Sequence, residues 1–408
     1  MHAERRPTKR PTPQKRDPQV SSTYSRGQVD ASSYRARARS SQRRTTVALA
    51  VLLVVLVGGI AGAYALVSSA SPSIGAASAD GSLPVSEKGF DAPEQPTNEP
   101  DPNSDSITIT FAGDCTLGTE ESFDYASSFT GYYDAQGPDY FFSGVKDVFE
   151  KDDLTVVNCE GVLTDATTRE DKEYAYKGDP SYADIFARSS IEAASISNNH
   201  IYDYGWNSRA DTINALSDAG ISVFGDEIIA YREVKGVKIA LIGANSLSLG
   251  LGTQTSMTAN IRAAQDAGAQ IIIVFMHWGV MREYDPTDEQ IELGHIAIDA
   301  GATLVVGSHQ HVLQGYEKYN GRYIVYGLGN FCYGGARTLQ DPDCYIFQQT
   351  FTLTDGGVET DDRVEIIPCL ISSSSDYNDY RPIIAEGADK ERIERKIADS
   401  SASVTGRG

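Results

Sequence analysis

Ile107-Thr108-Ile109-Thr110-Phe111-Ala112-Gly113-Asp114 is where regular structure begins in this 408-residue chain. Its apolar residues alternate with threonine, the period of a strand with one face buried. The strand then runs without a break into Gly-Asp. A carboxylate just beyond an apolar strand is a candidate ligand group, because open α/β sheets gather ligands outside the carboxyl ends of their strands.

Downstream, short β-branched runs alternate with helical stretches. Strands are predicted at 154–158, 192–197, 221–224, 237–243, 270–276 and 302–306, and helices at 181–190, 207–219, 258–267 and 287–300. The last helix opens on Thr287-Asp288-Glu289-Gln290, a capping-box signature, and stops at Gly301. This alternation implies an α/β fold in which a sheet is covered by helices on both faces. Tyr316 to Tyr326, turning at Asn320-Gly321, reads as a β-hairpin. Strands at 345–354 and 363–371 add an antiparallel section. A short charged helix is expected at 387–398, followed by a frayed end.

Five polar clusters follow these strands: Gly113-Asp114, Asn158-Cys159-Glu160, Asn198-Asn199-His200, His277-Trp278-Gly279 and Gly307-Ser308-His309-Gln310-His311. Together they offer two carboxylates, a carboxamide and three imidazoles, a mixed nitrogen and oxygen set suited to divalent Mn, Zn, Fe or Mg. Glu160 has two oxygens and can bridge a pair of ions, so one or two metals are expected. Taken singly, Asp114 or Asn198-Asn199 is only a turn signal. Four of the six histidines at strand ends make the conjunction informative. His295, inside a predicted helix, reads as a packing or surface residue, and His2 lies in the N-terminal tail.

These motifs, with Leu117-Gly118, Asp203, Gly205, Glu283-Tyr284 and Tyr326-Gly327-Leu328-Gly329-Asn330-Phe331, resemble over residues 107–371 the capsule-synthesis CapA family of the calcineurin-like metallophosphatases. The resemblance implies a four-layer α-β-β-α fold of mixed sheets flanked by helices. It implies metal ligands at Asp114, Glu160, Asn199, His277, His309 and His311, a catalytic proton donor at His200, and orienting groups at Asp203 and Asn330. The sequence departs from the superfamily's Asp-x-His at Asp114-Cys115-Thr116, which removes a nitrogen ligand from one metal position. Gln310 stands where the family often has Pro. Lys177 and Arg282, in loops near the motifs, are weaker candidates for contact with an anionic substrate, since a solvated surface charge is the default for each. The resemblance further implies a role in synthesis, export or processing of poly-γ-glutamate, with other capsule-synthesis membrane proteins as partners. The alternative is a phosphoesterase or hydrolase acting on another cell-envelope substrate.

Upstream the composition changes. Residues 1–44 carry +9, whereas the chain as a whole carries −21. Between the two regimes runs an uncharged apolar stretch from Val47 to Val67, about 31 Å long as a helix and enough to span a bilayer. With Arg43 and Arg44 on one side, positive-inside bias predicts a single-pass anchor over 45–67, a cytoplasmic N-terminus and an extracytoplasmic domain. Ala63-Tyr64-Ala65 keeps open a cleaved signal peptide, which leads to the same export. Residues 68–105 read as a flexible stalk, 106–373 as the domain and 374–408 as a C-terminal tail. The basic tail reads as a cytoplasmic stretch near anionic lipid, with no nucleic-acid partner expected. The five cysteines leave two pairings open, Cys332 with Cys344 and Cys115 near Cys159, with free buried thiols as the alternative.

Overall fold

The computed structural model describes residues 106–354, 357–359 and 362–405. The expected basic tail, membrane anchor and stalk lie outside the described residues. Among those described, no helix is long and apolar enough to cross a membrane.

Two mixed sheets form the frame. The larger has nine strands. Its central path contains β1 (Ser106–Thr116), β2 (Leu154–Cys159), β3 (Ala193–Ser195) and β4 (Ser222–Phe224), all parallel. The second has six strands, among them β5 (Ile229–Val234), β6 (Val237–Asn245), β7 (Ile271–His277), β8 (Leu304–Ser308), β9 (Tyr316–Tyr319) and β10 (Arg322–Val325). Its middle, β6-β7-β8-β10, is parallel, and β5 and β9 close it antiparallel at the two edges. The larger sheet is completed by β11 (Asn330–Tyr333), which pairs with β1, and by an antiparallel section of β12 (Asp343–Thr354), β13 (Val364–Leu370) and β14 (Ile383–Ile384), with Gly357–Glu359 on β12.

Side-chain alternation explains how the sheets stack. On β1, Ile107, Ile109 and Phe111 share a buried cluster with Ile271, Ile273 and Phe275 of β7 and with Leu304 and Val306 of β8. The intervening residues face outward: Ile272, Val274 and Met276 meet Met257 and Ile261 of α4 (Gln254–Asp266) and Leu293 and Ala297 of α5 (Asp288–Asp299). On the other side, Val157 and Ala194 meet Phe129 of α1 (Phe129–Gln136), Ile185 and Phe186 of α2 (Ala183–Ala187) and Leu216 of α3 (Ser208–Asp218). The strands thus face each other across one apolar core, and α1 to α5 cover the outer faces of the two sheets.

The single sheet with helices on both faces, expected from strand and helix alternation, is therefore corrected to two sheets. Strands such as β7, buried at all seven residues, read the same whether a helix or a second sheet covers them. The α5 capping box is present, with Thr287 and Gln290 reciprocally bonded. The Asn320-Gly321 turn has both residues at positive φ, as a primed hairpin needs. The C-terminal helix α6 runs Gly387–Thr405 rather than ending at 398, and its Ile393 and Ile397 are buried in the inter-sheet core. All five cysteines are free and buried, so the Cys332–Cys344 disulfide left open by the sequence is absent. Cys115 and Cys159 are register neighbours on β1 and β2.

A bulge sets up the site. The β1–β2 register shifts between Ala112 and Asp114, so that two residues of β1 oppose one of β2. Ala112 faces the helices, and without the shift Asp114 would face them too. The extra residue turns Asp114 to the inter-sheet side, where His277 and Ser308 end their strands and Asn158 stands next to the end of β2. Only glycine fits at 113, because a Cβ there would lie 1.9 Å from the Gly329 carbonyl oxygen.

Candidate metal centre

The predicted ligand residues converge at the carboxyl ends of the parallel strands. Glu160, His277 and His309 present ligand atoms all within 4.8 Å of one another, and so do Asp114, Glu160 and His311. Glu160 belongs to both groups. Its Oε1 lies 3.8 Å from Nε2 of His277, 3.8 Å from Nε2 of His311 and 3.9 Å from Nε2 of His200. Asn199 joins through its Oδ1, 2.7 Å from His277 Nε2. No predicted ligand points elsewhere.

Neighbours hold these side chains in place. Asp114 accepts from Asn158 Nδ2 at 2.8 Å and from the His309 backbone N–H at 3.1 Å. Asn330 Oδ1 lies 2.9 Å from Nδ1 of His311, and Asp203 Oδ2 lies 2.7 Å from Nδ1 of His200. Each therefore leaves the far ring nitrogen directed at Glu160. His309 and His311 sit at φ 102° and 58°, a left-handed backbone unusual outside glycine. Between them Gln310 donates to the Trp278 carbonyl at 2.9 Å, tying this loop to the one after β7. Local strain of this kind persists only where the surroundings over-determine it.

The fit to a cation can be tested on unpartnered atoms. Both oxygens of Glu160 and the Nδ1 of His309 are buried without a hydrogen-bond partner, although buried polar groups are nearly always satisfied. Burial, reinforced by the Asp114 charge, holds the Glu160 carboxyl well above its usual range. Asp114 is also raised by burial, against the opposing pull of His311 and Asn158. Burial presses His277 well below the usual imidazole value and His309 down to about 3, with neighbouring histidines adding to it. His200 is lowered by burial, against the opposing pull of Asp203. Neutral imidazoles beside costly carboxylates form a donor set that a divalent cation relieves. These buried His, Glu and Asp groups can hold a metal ion.

Thr116, where the superfamily has histidine, is buried with its hydroxyl unpartnered. Lys177 donates to the Ala166 carbonyl at 3.0 Å and lies 4.7 Å over the Tyr204 ring, so its ammonium is already engaged. Arg282 is exposed, and its backbone N–H donates to the Gln310 carbonyl at 2.8 Å. His295 stacks on Tyr319 and bonds Glu317, the packing role expected for it.

The sequence reading missed three groups. Lys172 reaches Asp203 Oδ1 at 2.6 Å and the Asn199 carbonyl at 3.1 Å. Tyr176 packs 4.5 Å from the His200 ring, and Tyr333 packs 5.2 Å from His311. Lys172 and Tyr176 stand in loops whose spacing carries no signal, and Tyr333, which ends β11, reads as one more buried strand residue.

Fold and site together define an α/β protein with a buried histidine–carboxylate centre fitted to a cation. The chain belongs to the bacterial capsule synthesis protein PGA_cap family, whose model matches residues 108–334. It is 28% identical to the PGA biosynthesis protein CapA of Bacillus subtilis over 259 residues, 58% of this chain and 66% of that one. The capsule biosynthesis protein CapA of Bacillus anthracis is 25% identical over 331 residues, 73% of this chain and 74% of the relative. A probable polyglutamine synthesis accessory protein of Mycobacterium tuberculosis is 27% identical over 208 residues, 44% of this chain and 55% of that one. The resemblance to the CapA family therefore holds.

Proposed function

We propose that this protein is a metal-dependent hydrolytic component of capsule or poly-γ-glutamate synthesis, export or processing, built on the four-layer metallophosphatase plan. The observation that carries the reading is Glu160, a fully buried carboxylate with both oxygens unpartnered at the meeting point of two donor groups. The capsule role rests on family membership and on the names of the relatives. A phosphoester or amide of the cell envelope is the substrate class.

Asp114, Glu160, Asn199, His277, His309 and His311 would hold one or two divalent ions of Mn, Zn, Fe or Mg. A bound ion supplies Lewis acidity and lowers the pKa of a water. The remaining roles fall to protein groups. Asp203 holds the Nδ1 side of His200, so that Nε2 faces the centre as proton donor to the leaving group. Asn330 orients His311 in the same manner. The acidic surface repels a polyanion, and cationic charge at the centre offsets that repulsion locally. Placement outside the membrane on a single N-terminal anchor is supported by the 47–67 run and the flanking arginines.

Elemental analysis of the purified protein, paired with hydrolysis of a generic phosphodiester and of poly-γ-glutamate, tests this reading. Stoichiometric Mn, Zn or Fe, with turnover lost in His200→Ala while metal is retained, is the expected result. Failure to bind any divalent ion stoichiometrically overturns it. Stoichiometric metal without turnover on either substrate moves the protein to a non-catalytic accessory role.

A further inference from the structure

Lys172 lies outside every strand-end motif, in a loop before Tyr176, yet its ammonium enters the network behind the centre. It lies 2.6 Å from Asp203 Oδ1 and 3.1 Å from the Asn199 carbonyl oxygen, and its side chain is 31% exposed against 1% for Asp203. Asp203 is crowded with donors. Its Oδ2 lies 2.7 Å from His200 Nδ1 and accepts the Tyr176 backbone N–H at 2.7 Å, while Oδ1 is occupied by Lys172.

The lysine therefore ties two parts of one segment together. Residues 198–203 supply both Asn199, whose Oδ1 faces His277, and His200, whose Nε2 faces Glu160. Asn199 is exposed, and no hydrogen bond from its own backbone N–H to a regular element is seen among the described residues. A bridge from a separate loop to its carbonyl and to Asp203 fixes this turn. We propose that Lys172 is a positioning residue for the metal centre, clamping the 199–203 turn so that Asn199 and His200 keep their aim. This rests on the metal-centre reading given above.

Three chemistries need separating. As a mere surface charge, Lys172 would be dispensable for metal affinity. As a direct substrate contact, it would change KM and leave metal affinity alone. As a clamp, it acts on the ligand set itself, and loss of a group that orients ligands typically weakens metal affinity about 10- to 100-fold.

Calorimetric titration of the chelator-stripped full-length protein with Mn2+ and with Zn2+ tests the clamp, with far-UV circular dichroism to establish folding. Lys172→Met should weaken binding by about tenfold or more. Lys172→Arg, which keeps charge and several donors, should recover most of the loss. Combining Lys172→Met with Asp203→Asn should cost less than the two changes added, because both cut the same bridge. Unchanged affinity in folded Lys172→Met overturns the proposal, as does full additivity of the pair. Should Lys172→Met fail to fold, Lys172→Gln, which keeps a donor without the charge, decides on the same readout. If the wild-type protein itself binds neither ion, the metal-centre reading falls first, so the two failures are distinguishable.

Discussion

Glu160 and Asp343 are both buried carboxylates with almost no exposure, and they are treated oppositely by their surroundings. Asp343 meets the guanidinium of Arg392 at 2.6 Å and the ammonium of Lys396 at 2.6 Å, both from α6. Burial pulls its pKa upward, but those hydrogen bonds outweigh it and leave the group below the usual range. Glu160 has no hydrogen-bonded partner on either oxygen, and burial leaves it well above that range. The α6 junction brings its own cations and closes the fold. Among the described residues no cationic side chain pairs with Glu160, although the same chain pairs a buried acid at Asp343. Missing charge at Glu160 is thus a property of the site rather than of burial.

The largest effect should come from removing that carboxylate. Glu160→Gln should weaken Mn2+ or Zn2+ binding on the order of 100-fold or more, while the metal-free protein melts at a higher temperature because a buried unpartnered acid is gone. Melts with chelator and with metal read both signs. A lower melting temperature of the metal-free variant would break the contrast with Asp343. Wild-type protein at metal one hundred times above Kd should gain about 2.7 kcal/mol, a gain cut to about 0.4 kcal/mol or less in Glu160→Gln at the same metal concentration. Arg392→Met probes the other region. It should cost about 1–2 kcal/mol in denaturant unfolding, reduced by the partial exposure of the arginine, and leave metal affinity unchanged.

A third carboxylate sharpens the comparison through pH. Asp152 is pushed up to about 7 by burial, against hydrogen bonds from Thr110 and Thr155 that pull it down. A carboxyl raised on folding favours the folded state fully below its unfolded value, near 3.8, and that contribution is lost as pH rises through about 7. Asp152→Asn should therefore raise the melting temperature at pH 8 by a few degrees and hardly change it at pH 4. Equal shifts at both pH values would assign the effect to packing.

The legible part of the molecule is the part with short-range signals. Each histidine motif follows an apolar strand, so its place at a strand end could be read from periodicity, and the capping box at Thr287 marked its helix to within a residue. Stacking of the two sheets was hidden because β6 and β7 are buried on both faces. The β5–β6 hairpin escaped because its turn is Lys235-Gly236, both at positive φ, rather than Asn-Gly. α6 looked frayed since its last turns are serine-rich. Those serines are what dock it: Ser400 and Ser401 accept the backbone N–H groups of Gly315 and Tyr316 at 2.8 and 3.0 Å. The aim of Asp114 depends on a bulge, and that of Asn199 on a lysine from a separate loop. Both are tertiary facts.

The five free cysteines share a single apolar cluster, under the helices that cover the nine-stranded sheet. Burial holds Cys115 well above the ordinary thiol value and Cys159 up at about 12, so neither offers a thiolate while the layer is closed. Alkylation of this protein is therefore a stopwatch. Iodoacetamide marks a molecule only when its helical roof lifts, and the rate of labelling times the opening of that layer without any need to know the substrate.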